Sequence, residues 1–280
     1  GFIDAMVGAA RTFSLGPEPI DIVGTGGDRL HTVNVSTMSA LAVAGCGVPV
    51  AKHGNRAASS SVGSADVLEA LGVRLDAPAE VVAACVRDAG IGFLFAPTFH
   101  PALAGLGPIR RALGFRTVFN VLGPLANPAL VERTLVGVAP RTLLEPMAQV
   151  LQARGIRRAI MVSADDGLDE LSLGSTSTLA RVSPDAVSLE RVDAGDLLGR
   201  HHSPASLRGG DVAANVAAVR RFVEGAPGPA ADVACANAAL ALIVAGRADS
   251  IVEGYELAAA SVRDGRAGVA LDRLIEVSNS

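Results

Sequence analysis

Asp21-Ile-Val-Gly24-Thr-Gly-Gly-Asp28 is a short apolar run that breaks into a glycine turn and closes on a carboxylate. A brief apolar run bounded by glycine reads as a buried strand, and glycine lets a backbone turn tightly and come close to a ligand. A turn with free amides is also a ready anion cradle. Asn34-Val-Ser-Thr37 follows, opening the helix-like stretch Ser36–Ala44. Next come the strand-like Val48–Ala51, then Lys52-His-Gly-Asn-Arg56, and then Ser59-Ser-Ser-Val-Gly63-Ser64. Three such segments in so short a span predict one multiply charged ligand held by many short contacts. The turn lacks both the dinucleotide fingerprint spacing and the Gly-Lys-Ser/Thr ending of a nucleoside triphosphate loop. Alone it is as readily structural as functional; Asn34, Ser36 and Thr37 at a helix start favour the anion.

Outward from this segment strands and helices alternate. Helices are predicted over 3–13, 64–71 (stopped by Gly72), 78–89, 109–113 and 142–153, and strands over Phe93–Ala96, Leu135–Val138 and Arg158–Ser163. Thr117–Asn120 leads to the loop Gly123–Pro128. Residues 173–195 read as an antiparallel excursion, and the chain is helical from Asp211 onward. This rhythm predicts an α/β protein, a sheet with helices on both faces. Gly225-Ala-Pro-Gly-Pro229 reads as a turn rather than a domain linker.

The 280 residues are 50% hydrophobic, enough for a substantial core, and the net charge is −4 without a basic block. With no tryptophan and Tyr255 as the sole phenol, stacking platforms for bases are scarce, and general nucleic-acid binding is not expected. Cys46, Cys85 and Cys235 read as buried thiols of a reducing compartment, with no zinc spacing. No segment has the apolar length of a membrane span, and no signal peptide is read, so a cytoplasmic location is expected. Lys52 is the only lysine among many arginines. It stands where a compact three-donor ammonium suits the chemistry better than a planar fork.

Asp169-Glu170 is an adjacent carboxylate pair in a loop after an apolar strand. A hard divalent ion bound through ligand phosphates uses few protein carboxylates, so two suffice beside waters. The alternative is that Asp165, Asp166, Asp169 and Glu170 are solvated loop residues. Lys52, His53 and Asn55 surround a glycine; a core histidine bonded to backbone is the alternative for His53. Ser59, Ser60 and Ser64 either cap the next helix or donate to phosphate. His100 and Arg110 suit a carboxylate-bearing acceptor, since arginine matches a carboxylate bidentately. No Ser/His/Asp or Cys/His arrangement favours hydrolysis.

Taken together with Gly63–Gly72, Phe95-Ala-Pro97, His100-Pro-Ala, Arg110–Pro128, Gly167-Leu-Asp-Glu170 and Gly209-Gly-Asp211, these segments resemble the anthranilate phosphoribosyltransferases, in order along nearly the whole chain. The resemblance implies a nucleoside phosphorylase/phosphoribosyltransferase-like fold. That fold has a large α/β domain with a central, mostly parallel sheet plus a small helical domain, here lacking some N-terminal helices. Residues 1–15 would then be the remnant of the helical domain and 16–280 the α/β domain, with part of the 95–125 region packing on the helices. A homodimer is implied for the full-length form, with no nucleic-acid or membrane partner.

The implied reaction moves the phosphoribosyl group of phosphoribosyl pyrophosphate to the amine of anthranilate, in tryptophan biosynthesis, with Mg2+ as cofactor. On matching positions, Gly24, Thr25, Gly26, Gly27, Asp28, Asn34, Ser36, Thr37, Lys52, Asn55, Ser59, Gly63 and Ser64 hold the donor. Gly24, His53, Asn55, Pro97, His100, Arg110 and Gly123 line the anthranilate route. Ser36, Asp169 and Glu170 position magnesium, and Lys52, His53, Asp169 and Glu170 form the catalytic set. Two departures from the family pattern stand out: Arg29 where glycine is common, and an apolar Leu103–Leu106. The nearest alternative is a pyrimidine nucleoside phosphorylase, against which the Asp-Glu pair and Pro97, His100 and Arg110 argue. A noncatalytic relative that binds nucleic acid or a partner protein is the other.

Overall fold

The computed structural model describes residues 1–16, 18–28, 30–57, 62–103 and 117–280. Its strands are β1 (Ile20–Gly24), β2 (Val50–Gly54), β3 (Ile91–Phe95), β4 (Arg133–Gly137), β5 (Arg158–Ala164), β6 (Ser177–Val182) and β7 (Val187–Val192). They form one sheet in the order β3-β2-β1-β4-β5-β6-β7. β1 to β5 are mutually parallel, while β6 and β7 join antiparallel. The excursion over 173–195 therefore extends the sheet. β7 is its polar edge, where Glu190 meets Arg181 across the pair at 2.7 Å, a charged rim that discourages further strand addition.

The described helices are α1 (Phe2–Gly8), α2 (Val35–Gly45), α3 (Ser64–Ala70), α4 (Ala79–Ala84), α5 (Ala96–Phe99), α6 (Phe119–Leu122), α7 (Leu144–Ala153), α8 (Ala194–Leu198), α9 (Val212–Val223), α10 (Pro229–Ala245), α11 (Ile251–Arg263) and α12 (Arg266–Ser278). α2 and α10 carry small and aliphatic residues on all sides, the mark of a helix enclosed by others. They fill the layer between the sheet and the outer α9, α11 and α12. Fully burying Leu41 or Met38 there contributes about 1.5–3 kcal/mol each. Two of the hydroxyls in this layer find main-chain acceptors. Ser39 donates to Val35 O and Ala234 O, both at 2.9 Å, and Ser261 to Ala42 O at 2.8 Å.

The other face is covered by α1, α6 and α7, whose Ile3, Met6, Leu122, Leu144, Met147 and Leu151 share one apolar cluster. The first helix stops at Gly8, not at residue 13. The chain beyond it is not helical, with Arg11 N–H on Phe99 O at 2.8 Å and Phe13 packed on Phe99 at 5.5 Å. Cys85 and Cys235 are buried as expected, but Cys46 is only half-buried. The helix expected over 109–113 lies outside the described residues. No described helix is long and apolar enough to cross a membrane.

The strand order reverses at β1, with β2 and β3 on one side and β4 and β5 on the other. In open parallel sheets a crevice forms beyond the carboxyl ends of the strands at such a reversal, and ligands bind there.

Candidate active site

The carboxyl ends of β1 and β2, the start of α2 and the loop after β5 surround a cavity of about 320 Å³. Of the donor residues expected from sequence, Gly24 through Asp28, Asn34, Ser36, Lys52, Asn55, Gly63 and Ser64 line it. Of the acceptor residues, Gly24, His53, Asn55, His100 and Gly123 do, and so do Ser36, Asp169 and Glu170. Thr37 is outside the lining, buried, with its Oγ1 unpartnered. Pro97 is exposed on α5, while its neighbour Ala96 reaches the cavity. Ser59, Arg110 and Arg29 lie outside the described residues.

The donor wall begins where β1 ends. Gly26 and Gly27 take φ of +63° and +78°, a backbone that side chains strain. The turn is tied to β4 by Thr25 N–H on Gly137 O and by Ala139 N–H on Thr25 Oγ1, both at 2.9 Å. Gly26 N–H donates to Asp169 Oδ2 at 2.7 Å. A Cβ at Gly24 would stand 2.7 Å from that same oxygen, so the carboxylate can reach the turn only over glycine. Asn34, not Ser36, is the cap residue of α2. Its side chain makes no cap bond, and Oδ1 is buried without a partner.

Glu170 accepts the Ser36 main-chain N–H, at the positive end of α2. Burial, and then the charge of Asp169, push its carboxyl well above the usual range. Lys52, only 2% exposed, donates from Nζ to Ile22 O at 2.6 Å and to Ser36 Oγ at 3.2 Å. Burial pulls its pKa down to about 8, opposed by the charges of Asp21 and Glu170.

Glu170, whose proton affinity burial and the charge of Asp169 raise, stands with Asp169 beside the Ser36 hydroxyl as a set of hard oxygen donors whose repulsion a divalent cation relieves. Among the described residues no three His, Cys, Asp or Glu side chains meet as a metal cage. This donor set therefore fits a cation completed by ligand oxygens.

The acceptor wall is different. The rings of His53 and His100 lie 5.3 Å apart and both are buried. His53 bonds the Gly123 main chain, while its Nε2 is buried without a partner; His100 Nε2 faces Ala126 O at 3.0 Å. Burial, reinforced by His100, drives His53 down to about 3, and burial lowers His100 as well. Both imidazoles are neutral near pH 7. Met6, Leu103 and Phe119 add an apolar side.

Sequence reasoning passed over several neighbours of these residues. His31 and Arg56 line the cavity. Arg56 pairs with Glu69 at 2.7 Å and Asp66 at 3.1 Å and lies over the Phe95 ring, fastening the end of β2 to α3. Asp21 and Asn127 lie behind the wall. A charged residue inside an aliphatic strand was the available signal for Asp21, since such a group must find partners when buried.

The chain matches the glycosyl transferase family, a/b domain, over residues 16–268. It is 48% identical over 279 residues to the anthranilate phosphoribosyltransferase of Rhodopseudomonas palustris (strain HaA2), covering 99% of this chain and 82% of that protein. The crystal structure of anthranilate phosphoribosyltransferase from Thermus thermophilus superposes with a TM-score of 0.93 at 41% identity, covering 99% and 83% of the two chains. The Saccharomyces cerevisiae enzyme in complex with phosphoribosyl pyrophosphate and Mg superposes at 0.89 with 27% identity, covering 99% and 78%.

Proposed function

The chain belongs to the anthranilate phosphoribosyltransferase family, and we propose that its cleft divides the family's reaction between a charged donor wall and a neutral acceptor wall. The enzyme transfers the phosphoribosyl group of phosphoribosyl pyrophosphate to the amine of anthranilate, a step of tryptophan biosynthesis. The observation that carries the residue assignment is one cavity at the sheet's reversal point. It joins the Asp169-Glu170 carboxylate pair, the sole lysine and a glycine turn on one side to two neutral imidazoles on the other.

The Gly24–Asp28 turn, Asn34 and Ser36 grip the phosphates through amides and hydroxyls, with Asn55, Gly63 and Ser64 completing that side; Ser59 is assigned to the donor from the sequence motif alone, and Thr37, buried outside the lining, does not reach it. Ser36, Asp169 and Glu170 would hold magnesium, which when bound acts as a Lewis acid on the pyrophosphate oxygens. As the bond from the ribose C1 to pyrophosphate breaks, negative charge grows on the leaving oxygens, and Lys52 stabilises it from a water-poor floor. The aromatic amine is already nucleophilic, so the acceptor side works chiefly by placement. His53 offers its unpartnered Nε2, and His100, Asn55 and Gly123 border the route, with Ala96 rather than Pro97 reaching it. Arg110 is assigned to the anthranilate carboxylate from the sequence motif alone. A homodimer, and residues 1–15 as the remnant of a helical domain, belong to the same reading; light scattering of the purified chain tests the first.

Loss of anthranilate fluorescence should require both phosphoribosyl pyrophosphate and magnesium. Turnover that persists without added divalent ion in the presence of a chelator would remove Ser36, Asp169 and Glu170 from their assigned role.

A further inference from the structure

Asp21 is fully buried and does not line the cleft. Its strand pairs with β2 only at Ile20↔Val50, although the two run on to Gly24 and Gly54. By contrast β1 with β4, and β2 with β3, each pair at five positions. At the incomplete β1–β2 seam, side chains take up the main-chain groups. Asp21 Oδ1 accepts His53 N–H at 3.0 Å, and Lys52 Nζ donates to Ile22 O at 2.6 Å. Asn127 Nδ2 bridges Asp21 Oδ2 at 2.8 Å and Ala51 O at 2.9 Å, while its Oδ1 accepts Ala129 N–H at 2.8 Å. Each buried polar group left unpaired costs about 1–3 kcal/mol, so the seam is stable only as a complete set.

We propose that Asp21 and Asn127 are positioning residues that hold the β1–β2 seam open, aiming Lys52 at the donor wall and His53 at the acceptor wall from outside the cleft. The proposal rests on the roles given to Lys52 and His53 above. The seam joins the three segments that the reaction must keep in register. β1 carries the glycine turn, β2 carries Lys52 and His53, and the loop through Asn127 follows Gly123 and Pro124 of the cleft wall. Neither residue touches the reacting atoms; both act through their neighbours.

Three variants test it. Asp21→Asn keeps the size and an acceptor for His53 but sets one amide NH2 against another. Asn127→Asp sets two carboxylates together. The exchange, Asp21→Asn with Asn127→Asp, again opposes a donor to an acceptor between the two side chains but leaves Ala51 O without its donor. Each single variant should lose about 30-fold in kcat, since a misplacement of about 1 Å costs up to about 10²-fold. The anthranilate KM should rise about fivefold, and the donor KM should rise less, because Lys52 loses its aim while the glycine turn and α2 keep their own contacts. The exchange should regain only about threefold in kcat over either single variant, because Ala51 O stays unpaired, but a coupling of that sign is one that independent sites do not show.

Hydrogen exchange at the His53 amide, read on protein verified as folded by circular dichroism, should be faster in both single variants. Asp21→Asn with kcat and anthranilate KM within about twofold of the unmodified enzyme would overturn the proposal. So would a loss explained wholly by the unfolded fraction, with His53 exchange unchanged. If the unmodified enzyme fails to turn over anthranilate, the functional reading falls, and His53 exchange alone decides the positioning role.

Discussion

Lys52 and His53 are neighbours on one strand, buried to 2% and 4% exposure, yet they end in opposite electrical states. Successive strand residues face opposite sides of the sheet. Lys52 meets Ser36 and the charges of Asp21 and Glu170; His53 meets His100 and the Gly123 main chain. Burial alone disfavours both charges. The two carboxylates oppose that effect at Lys52, leaving it near 8 and still charged at neutral pH, whereas a second imidazole reinforces it at His53. Partners, not depth, decide which wall carries charge. The donor wall uses that charge on a leaving pyrophosphate, and the acceptor wall stays neutral around an amine that needs no proton removed before it attacks.

The sharpest way to break this contrast is to delete the charge. Lys52→Ala should lower kcat by about 10³ at saturating substrates, the upper range for removing one preorganised donor to a developing anion. A loss below tenfold in steady-state assays would make the donor wall no more electrostatic than the acceptor wall. Asp169→Asn combined with Glu170→Gln should lower kcat by about 10² and raise the magnesium needed for half-maximal rate. A magnesium titration that matches the unmodified enzyme would return those carboxylates to a solvated-loop role. On the other wall, His100→Ala should raise the anthranilate KM about tenfold, about 1.4 kcal/mol, while leaving the donor KM unchanged. If the donor KM moved instead, the two walls would not be separable.

How much of this was legible beforehand follows from which signals are local. The glycine turn, the helix start at Asn34–Thr37 and the Asp169-Glu170 pair are contiguous motifs, and each could be read where it stands. The alternation of strands and helices likewise fixed the layers, because parallel strands buried on both faces read as short apolar runs. What could not be read depends on long-range register. Asp21 and Asn127 are 106 positions apart, and nothing near either residue shows that they meet. Nor does any local pattern say that main-chain pairing of β1 with β2 stops after Ile20↔Val50. The state of His53 was equally hidden, since a core histidine and a site histidine have the same sequence environment until His100 is placed beside it.

That hidden pairing gives the subtlest expectation. His53 is held near 3 in the folded state, below its ordinary 6.5. Between those values the unfolded chain binds the extra proton, so stability from this residue is complete above about pH 6.5 and is lost as pH falls toward 3. Asp21 runs the other way. Its carboxyl is raised from 3.8 to about 6, so its contribution is present below about 3.8 and is lost as pH rises to 6. The histidine displacement is the larger, and the lowered pKa of His100 adds to it, so the three groups together should make the enzyme less stable on going from pH 6.5 to 4.5. His53→Gln removes the largest of these terms and leaves Asp21 acting in the opposite sense. Its Tm should therefore fall by roughly 5 °C less than that of the unmodified enzyme over the same interval, at about 2–4 °C per kcal/mol. Equal falls in the two proteins, measured by calorimetry, would mean that His53 is not held neutral, and the contrast between adjacent side chains of β2 would lose its physical basis.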